Sequence, residues 1–284
     1  MYPWKDYSGR TSPLKLVVFV ALFGPALWVA LALSMGWLGA RPLNEAIHQI
    51  GLWTIRLIFV ALAVTPARQV LQWSRLLLVR RMIGVAAFAY ALAHFSLYVV
   101  DQAFDLTKVA TEIALRIYLT IGFVALLGLA ALAATSTDGM IRRMGSRNWL
   151  RLHRAVYVIG VLAVVHYSMQ SKLEQWEPTI MAGLLAWLLL YRLLHRWLAV
   201  RQRLAVQWVA ALSVAAGALT ALGEALYFQI AYGAPPMRVL AANGSLDLGV
   251  RPAVIVLGFG LVVTLAGALR MWMPSRGKLR ARAA

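Results

Sequence analysis

Long apolar runs alternate along the chain with short clusters of charged and turn-forming residues. Eight runs approach the roughly 20 residues that a helix needs to cross a hydrocarbon core of about 30 Å. They cover about 14–36, 49–66, 82–100, 114–134, 153–170, 178–199, 204–230 and 252–273. This pattern predicts an all-α integral membrane protein. The first run follows Lys5, Arg10 and Lys15 but is long, and no small-residue cleavage site followed by a soluble domain appears, so it is expected to be a retained span. No internal repeat is visible. Composition shifts near residue 203, beyond which there is no His and the spans are expected to hold few polar residues. Residues 1–203 therefore predict a six-helix core and residues 204–284 a two-helix extension. The segment 231–251, with Gly233, Pro235, Pro236, Asn243 and Gly244, predicts an irregular loop.

Composition agrees with a membrane class. Of the 284 residues, 62% are hydrophobic and only 13% charged, whereas soluble domains carry about 25% charged residues. The formal charge of +18 would suggest nucleic acid in a soluble protein. Here it reads as topology. With the N-terminus placed in the cytoplasm, 21 of the 28 Lys and Arg fall on the inner side, including Arg142, Arg143, Arg147, Arg151 and Arg154 in one loop. Six fall outside, and Arg56 lies within a span. Positive residues concentrate on the cytoplasmic side of short loops, so both termini are expected inside. Eight of the ten acids, Glu224 among them, are assigned to the outer side. Trp4, Trp53, Trp73, Trp149, Trp176 and Trp272 lie near proposed span ends and predict an interfacial belt. There is no Cys, which excludes disulfides, thiolate metal sites and thioether-linked haem.

Ionisable residues inside spans are costly and tend to be functional. His94 and His166 lie in the third and fifth spans, which run in the same direction, at about 12 and 13 residues from their starts. At 1.5 Å per residue both sit roughly 18 to 20 Å from the inner surface. Two imidazoles at equal depth on neighbouring helices suit a bis-histidine b-type haem. Zinc would require three or four ligands, and few acids and no Cys stand nearby. Helix packing by each His alone is the bland alternative.

His153 lies about 20 Å below His166 but rotated about 220° around an ideal helix, and Arg80 and Arg81 occupy the matching depth on the third span. Three readings stand for it: a ligand to a second haem with an unusual partner, a wall of a quinone or flavin site, or a side chain snorkelling to the interface. Arg56, taken to lie near the outer end of the second span, is a candidate partner for haem propionates or snorkels to headgroups. His48 and His195 are expected at interfaces. No GxGxxG follows a strand and no phosphate-binding P-loop occurs, so the chain is not expected to accept hydride from a nicotinamide by itself.

The segments GLWTIRLIFVALAVTPARQV, RRMIGVAAFAYALAHFSLYV, ATSTDGMIRRMG and WLRLHRAVYVIGVLAVVHY resemble, in order over about residues 15–200, the MsrQ (formerly YedZ) family. These are haem-binding membrane subunits of the bacterial periplasmic protein-methionine-sulfoxide reductase system, within the ferric-reductase-like transmembrane group. The resemblance implies a six-helix haem bundle in the inner membrane. It also implies electron transfer from the quinone pool or a cytoplasmic flavin reductase to a periplasmic molybdenum enzyme that repairs oxidised methionines. His94, His153 and His166 fall on the family's membrane histidines, and FMN is a further implied cofactor, with the arginines of residues 142–154 as a phosphate environment. Arg80 and Arg81 depart from the wider group's paired histidines, and residues 204–284 are an addition to the family's usual length. A self-sufficient ferric or cupric reductase and a non-redox transporter or scaffold are the rival functions.

Overall fold

The structure is a computed structural model, and it describes residues 3–5, 9–172, 174–199, 204–245 and 249–272. Thirteen α-helices are found among them: α1 (Pro13–Ala21), α2 (Gly24–Ser34), α3 (Pro42–Leu71), α4 (Leu77–Asp101), α5 (Leu106–Leu115), α6 (Ile117–Ala134), α7 (Asp138–Met144), α8 (Ser146–His153), α9 (Val156–Gln170), α10 (Trp176–Leu198), α11 (Val206–Tyr232), α12 (Pro236–Asn243) and α13 (Pro252–Trp272). They contain eight stretches long and apolar enough to cross a membrane, one for each apolar run of the sequence. The protein is an all-α, multi-pass membrane protein.

Local chemistry explains where the helices depart from the hydropathy boundaries. The first span breaks between α1 and α2, where Pro25 lacks the N–H that would continue the ladder. The Tyr90 hydroxyl of α4 repairs the gap, donating to the Leu22 carbonyl at 2.7 Å and accepting from the Ala26 N–H at 3.0 Å. The second span is far longer than its apolar run because α3 begins at Pro42, in the position where a first-turn proline costs nothing. Two loops are partly helical. Asp105 caps α5 by accepting from the Lys108 N–H at 2.9 Å. The segment 231–251, expected to be irregular, carries α12 with a proline at its start. Gly233 closes α11 in the left-handed conformation, φ 67°, its N–H bonded to the Gln229 carbonyl at 2.9 Å.

The chain packs as two compact units. One comprises residues 1–64 and 75–170, the other residues 65–74 and 171–284. This division does not coincide with the compositional one at 203, because α10 packs with α11 and α13.

In the first unit α4, α6 and α9 pack together, and the apolar face of α3 is buried through Ile50, Leu52, Ile55, Ile58 and Leu62. In the second unit, small residues let the helices approach closely. A side chain at Gly183 would meet Thr220 and Val256, and one at Gly260 would meet Ser213 and Trp187. Trp187 is fully buried there, stacks on Tyr191 at 5.4 Å, and donates its ring N–H to Ser213 Oγ at 3.2 Å.

The expectation of few polar residues in the last spans is corrected by this packing. Ser213, Thr220 and Glu224 of α11 are all buried. Ser213 and Thr220 return their hydroxyl protons to carbonyls one turn earlier, at 2.7 Å each, so hydropathy averaging conceals them. Glu224 lies inside α11, where Arg251 and Asn243 bind its carboxylate.

Candidate functional site

His94 of α4 and His166 of α9 lie in the first unit with ring centroids 6.3 Å apart and ring planes at 84°. Each is part-buried and each is held by a different helix. His94 Nδ1 is 2.7 Å from the Ile47 carbonyl of α3, and His166 Nδ1 is 2.8 Å from the Tyr118 carbonyl of α6. A carbonyl can only accept, so both Nδ1 atoms carry the proton and both Nε2 atoms keep a free lone pair. The site lies at the end of the unit where α4 and α9 finish and α3 and α6 begin. His94 is about 10 Å from the end of α4, and His166 about 6 Å from the end of α9, at 1.5 Å per residue.

The spacing admits one metal ion between two imidazoles. An imidazole nitrogen holds a metal at about 2.0 to 2.1 Å, with the ring centre about 1 Å further, so two axial rings have centroids about 6 Å apart. The donor set is two neutral imidazoles with their proton-bearing nitrogens already occupied, which suits axial ligation of haem iron. No cluster of three or more His, Asp or Glu able to hold a metal by itself occurs among the described residues. At the same end Arg116 pairs with Glu112 and donates to the Tyr118 hydroxyl at 3.2 Å, and these partners lift its guanidinium above the ordinary value.

Of the other sequence candidates, His153 and His195 make contacts elsewhere, whereas His48 lies close enough to His94 for their charges to interact. His153 stacks on Trp149 at 3.9 Å, and its Nε2 is 3.2 Å from Thr135 Oγ1. Trp149 donates its ring N–H to the Thr135 carbonyl at 2.9 Å, closing a three-residue cluster at the α6–α8 junction. Trp149 is thus a packing residue as well as an end residue. Arg56 lies about 21 Å along α3 from Pro42 and about 13 Å beyond the level of Ile47. Its guanidinium lies over the Trp53 ring at 5.0 Å, one turn earlier on α3. His48 is exposed, 6.0 Å from Tyr167, and His195 stacks on Tyr191 at 6.1 Å in the second unit.

Residues that the sequence did not single out complete the site. Gly51 and Gly122 lie directly beneath the two imidazoles: a Cβ on Gly51 would be 2.8 Å from His94 Nδ1, and one on Gly122 would be 2.7 Å from His166 Nδ1. The available signal was a glycine inside each of two apolar spans that also supply helix neighbours to the histidines.

Residues 50–164 match the family described as "Ferric reductase like transmembrane component". A curated protein of Rhodospirillum rubrum, named "Protein-methionine-sulfoxide reductase heme-binding subunit MsrQ", is 42% identical over 200 residues, covering 70% of this chain and 92% of its own. The chain belongs to the MsrQ family. MsrQ proteins of Caulobacter vibrioides and Xanthomonas campestris pv. campestris are 40% and 43% identical over 177 and 178 residues, each covering 62% of this chain, and 84% and 81% of their own. The ferric-reductase-like match includes Gly51, His94, Gly122 and His153 and stops two residues before His166. The MsrQ relatives account for at most 70% of the chain in these three alignments, so a substantial part of its length lies outside each. No solved structure matches this chain.

Proposed function

We propose that this protein is the membrane electron-transfer subunit of a methionine-sulfoxide reductase system, holding one b-type haem between His94 and His166. The paired imidazoles at 6.3 Å, each with its Nδ1 tied to a carbonyl of a separate helix, carry this reading. Membership of the MsrQ family supports it, because the related proteins are named haem-binding subunits of that reductase. Haem held there by His94 and His166 would supply a one-electron couple, suited to passing electrons rather than binding oxygen.

The chain's own residues do the rest. The carbonyls of Ile47 and Tyr118 fix the tautomer and orientation of the rings. The helices exclude water around the ligands, and the position near one end of the first unit brings the site close to a soluble partner. In the charge-derived topology that end is periplasmic, both termini are cytoplasmic, and the membrane is the bacterial inner membrane. The acceptor in this reading is a periplasmic molybdenum-dependent methionine-sulfoxide reductase, and the donor is the quinone pool or a cytoplasmic flavin reductase. FMN has a weaker fit. The exposed Arg142, Arg143, Arg147, Arg151 and Arg154 offer charge for its phosphate, but Trp149, an aromatic ring of the same segment, is already stacked on His153. A second haem at His153 is not proposed, since Thr135 meets its Nε2.

The test is a reduced-minus-oxidised visible spectrum with haem quantified per chain. One low-spin b haem is expected, lost in His94→Ala and in His166→Ala and kept in His48→Ala and His195→Ala. An unchanged spectrum in the first two variants overturns the ligand assignment. A colourless wild-type protein made with ample haem leaves the transporter or scaffold reading, and rapid reduction of ferric ions without any protein partner favours the metal-reductase reading.

A further inference from the structure

We infer that Gly51 and Gly122 are positioning residues that set the electronic character of the two axial imidazoles by letting each ring donate its Nδ1–H to a helix carbonyl. The inference rests on the haem ligation proposed above and deepens it. The same device occurs twice, on separate helix pairs. His94 bonds the carbonyl of Ile47 and lies on Gly51; His166 bonds the carbonyl of Tyr118 and lies on Gly122. In both cases the glycine is four residues after the acceptor, which makes it the residue whose N–H that carbonyl receives within an α-helix.

A side chain at this position would cover the carbonyl's flank, and its absence leaves a notch through which a second donor reaches the oxygen. The conflict is also the same twice. A Cβ on Gly51 would be 2.8 Å from both Nδ1 and Cε1 of His94, and one on Gly122 would be 2.7 and 2.8 Å from Nδ1 and Cε1 of His166. These atoms belong to rigid rings, so relief requires the ring to withdraw and the hydrogen bond to lengthen.

The chemical consequence follows from the bond that would be lost. Donation from Nδ1 to a carbonyl increases the basicity of Nε2 and stabilises the more highly charged ferric state. Alanine at either position is therefore expected to raise the midpoint potential. A tenfold change in the ratio of oxidised to reduced haem corresponds to about 59 mV for one electron, and a shift toward that size is the expected reading for each variant. Two other glycines of the same unit serve as controls. Gly84 has nothing within 4 Å of a built Cβ, whereas a Cβ on Gly128, also in α6, would be 2.9 Å from the Ile159 side chain and touch no imidazole.

The experiment is redox titration and low-temperature EPR of the purified full-length protein and its Gly51→Ala, Gly122→Ala, Gly84→Ala and Gly128→Ala variants, with haem counted per chain. The inference expects raised potentials and altered low-spin g values in the first two alone. Wild-type potentials and g values in both, at full haem content, overturn it, as does an equal shift in Gly128→Ala. A second arm avoids alanine variants that fail to assemble. In His94→Gly, added imidazole should restore the low-spin spectrum, while 1-methylimidazole, which has no N–H for the Ile47 carbonyl, should bind at least about tenfold more weakly. Equal binding overturns the inference. A wild-type protein without haem instead overturns the ligation on which it rests.

Discussion

Glu224 is a carboxylate inside a membrane helix, and its removal from water must be offset by specific partners. Its side chain is 5% exposed and that of Arg251 19%. Arg251 Nη2 lies 2.5 Å from one carboxylate oxygen, and Asn243 Nδ2 donates to the other at 2.9 Å. Asn243 is in α12 and also donates to the Val239 carbonyl at 3.1 Å, so the carboxylate ties the segment between α11 and α13 to α11.

Removing one partner of a buried pair leaves an uncompensated charge and costs about 3 to 5 kcal/mol. Because Arg251 keeps some exposure, Arg251→Leu and Glu224→Leu should each fall at the lower end, about 3 kcal/mol. The double variant removes both charges and should cost about 3 kcal/mol or less, far below the additive 6, for a coupling of at least about 3 kcal/mol. Far-UV circular dichroism of the protein in mixed micelles, followed against the mole fraction of sodium dodecyl sulfate, gives the three free energies. A double-variant loss within about 0.5 kcal/mol of the sum of the single losses would refute the coupling.

Other expectations follow from local contacts. Tyr90→Phe removes the hydroxyl that serves both the Leu22 carbonyl and the Ala26 N–H at the break in the first span; a loss of about 1 to 3 kcal/mol is expected in the same micelle titration. Gly183→Ala and Gly260→Ala drive a methyl into Thr220 Oγ1 and Ser213 Oγ, respectively, and about 1 to 3 kcal/mol of overpacking should appear, against no change for Gly84→Ala. Asp138 is held below the usual carboxylate range by its hydrogen bond to Arg81 and by that residue's charge. Its native value lies below its unfolded one, so the stabilisation is complete above about pH 4 and is lost as pH falls through the native value. Both side chains are more than 40% exposed, so Asp138→Asn should remove at most about 1 kcal/mol at pH 6 and flatten the acid limb of a stability profile between pH 6 and pH 3.

The histidine pair was legible because membrane helices constrain depth. Counting residues from two parallel span starts brings His94 and His166 to one level, and the rings lie 6.3 Å apart. The start of α3 was less legible: the helix extends through Asn44, Glu45, His48 and Gln49, polar residues that hydropathy assigns to a loop. The partners of Glu224 were not legible, because Arg251 and Asn243 reach its carboxylate from segments that follow α11 in the chain.

By itself the sequence determined the number of spans, their approximate limits and the side-chain chemistry available, since apolar run length and the cost of unsatisfied backbone in lipid leave a chain of this composition few alternatives to crossing helices. Tertiary structure alone decided which helices keep company. It placed α10 with α11 and α13, put Thr135 and Trp149 on His153, and set each imidazole on a glycine and a carbonyl of another helix. These outcomes depend on ångström-scale contact between segments far apart in the chain. In lipid no difference in hydrophobicity directs one apolar helix toward another, so the shapes of small residues and the partners of a few polar atoms make the choice.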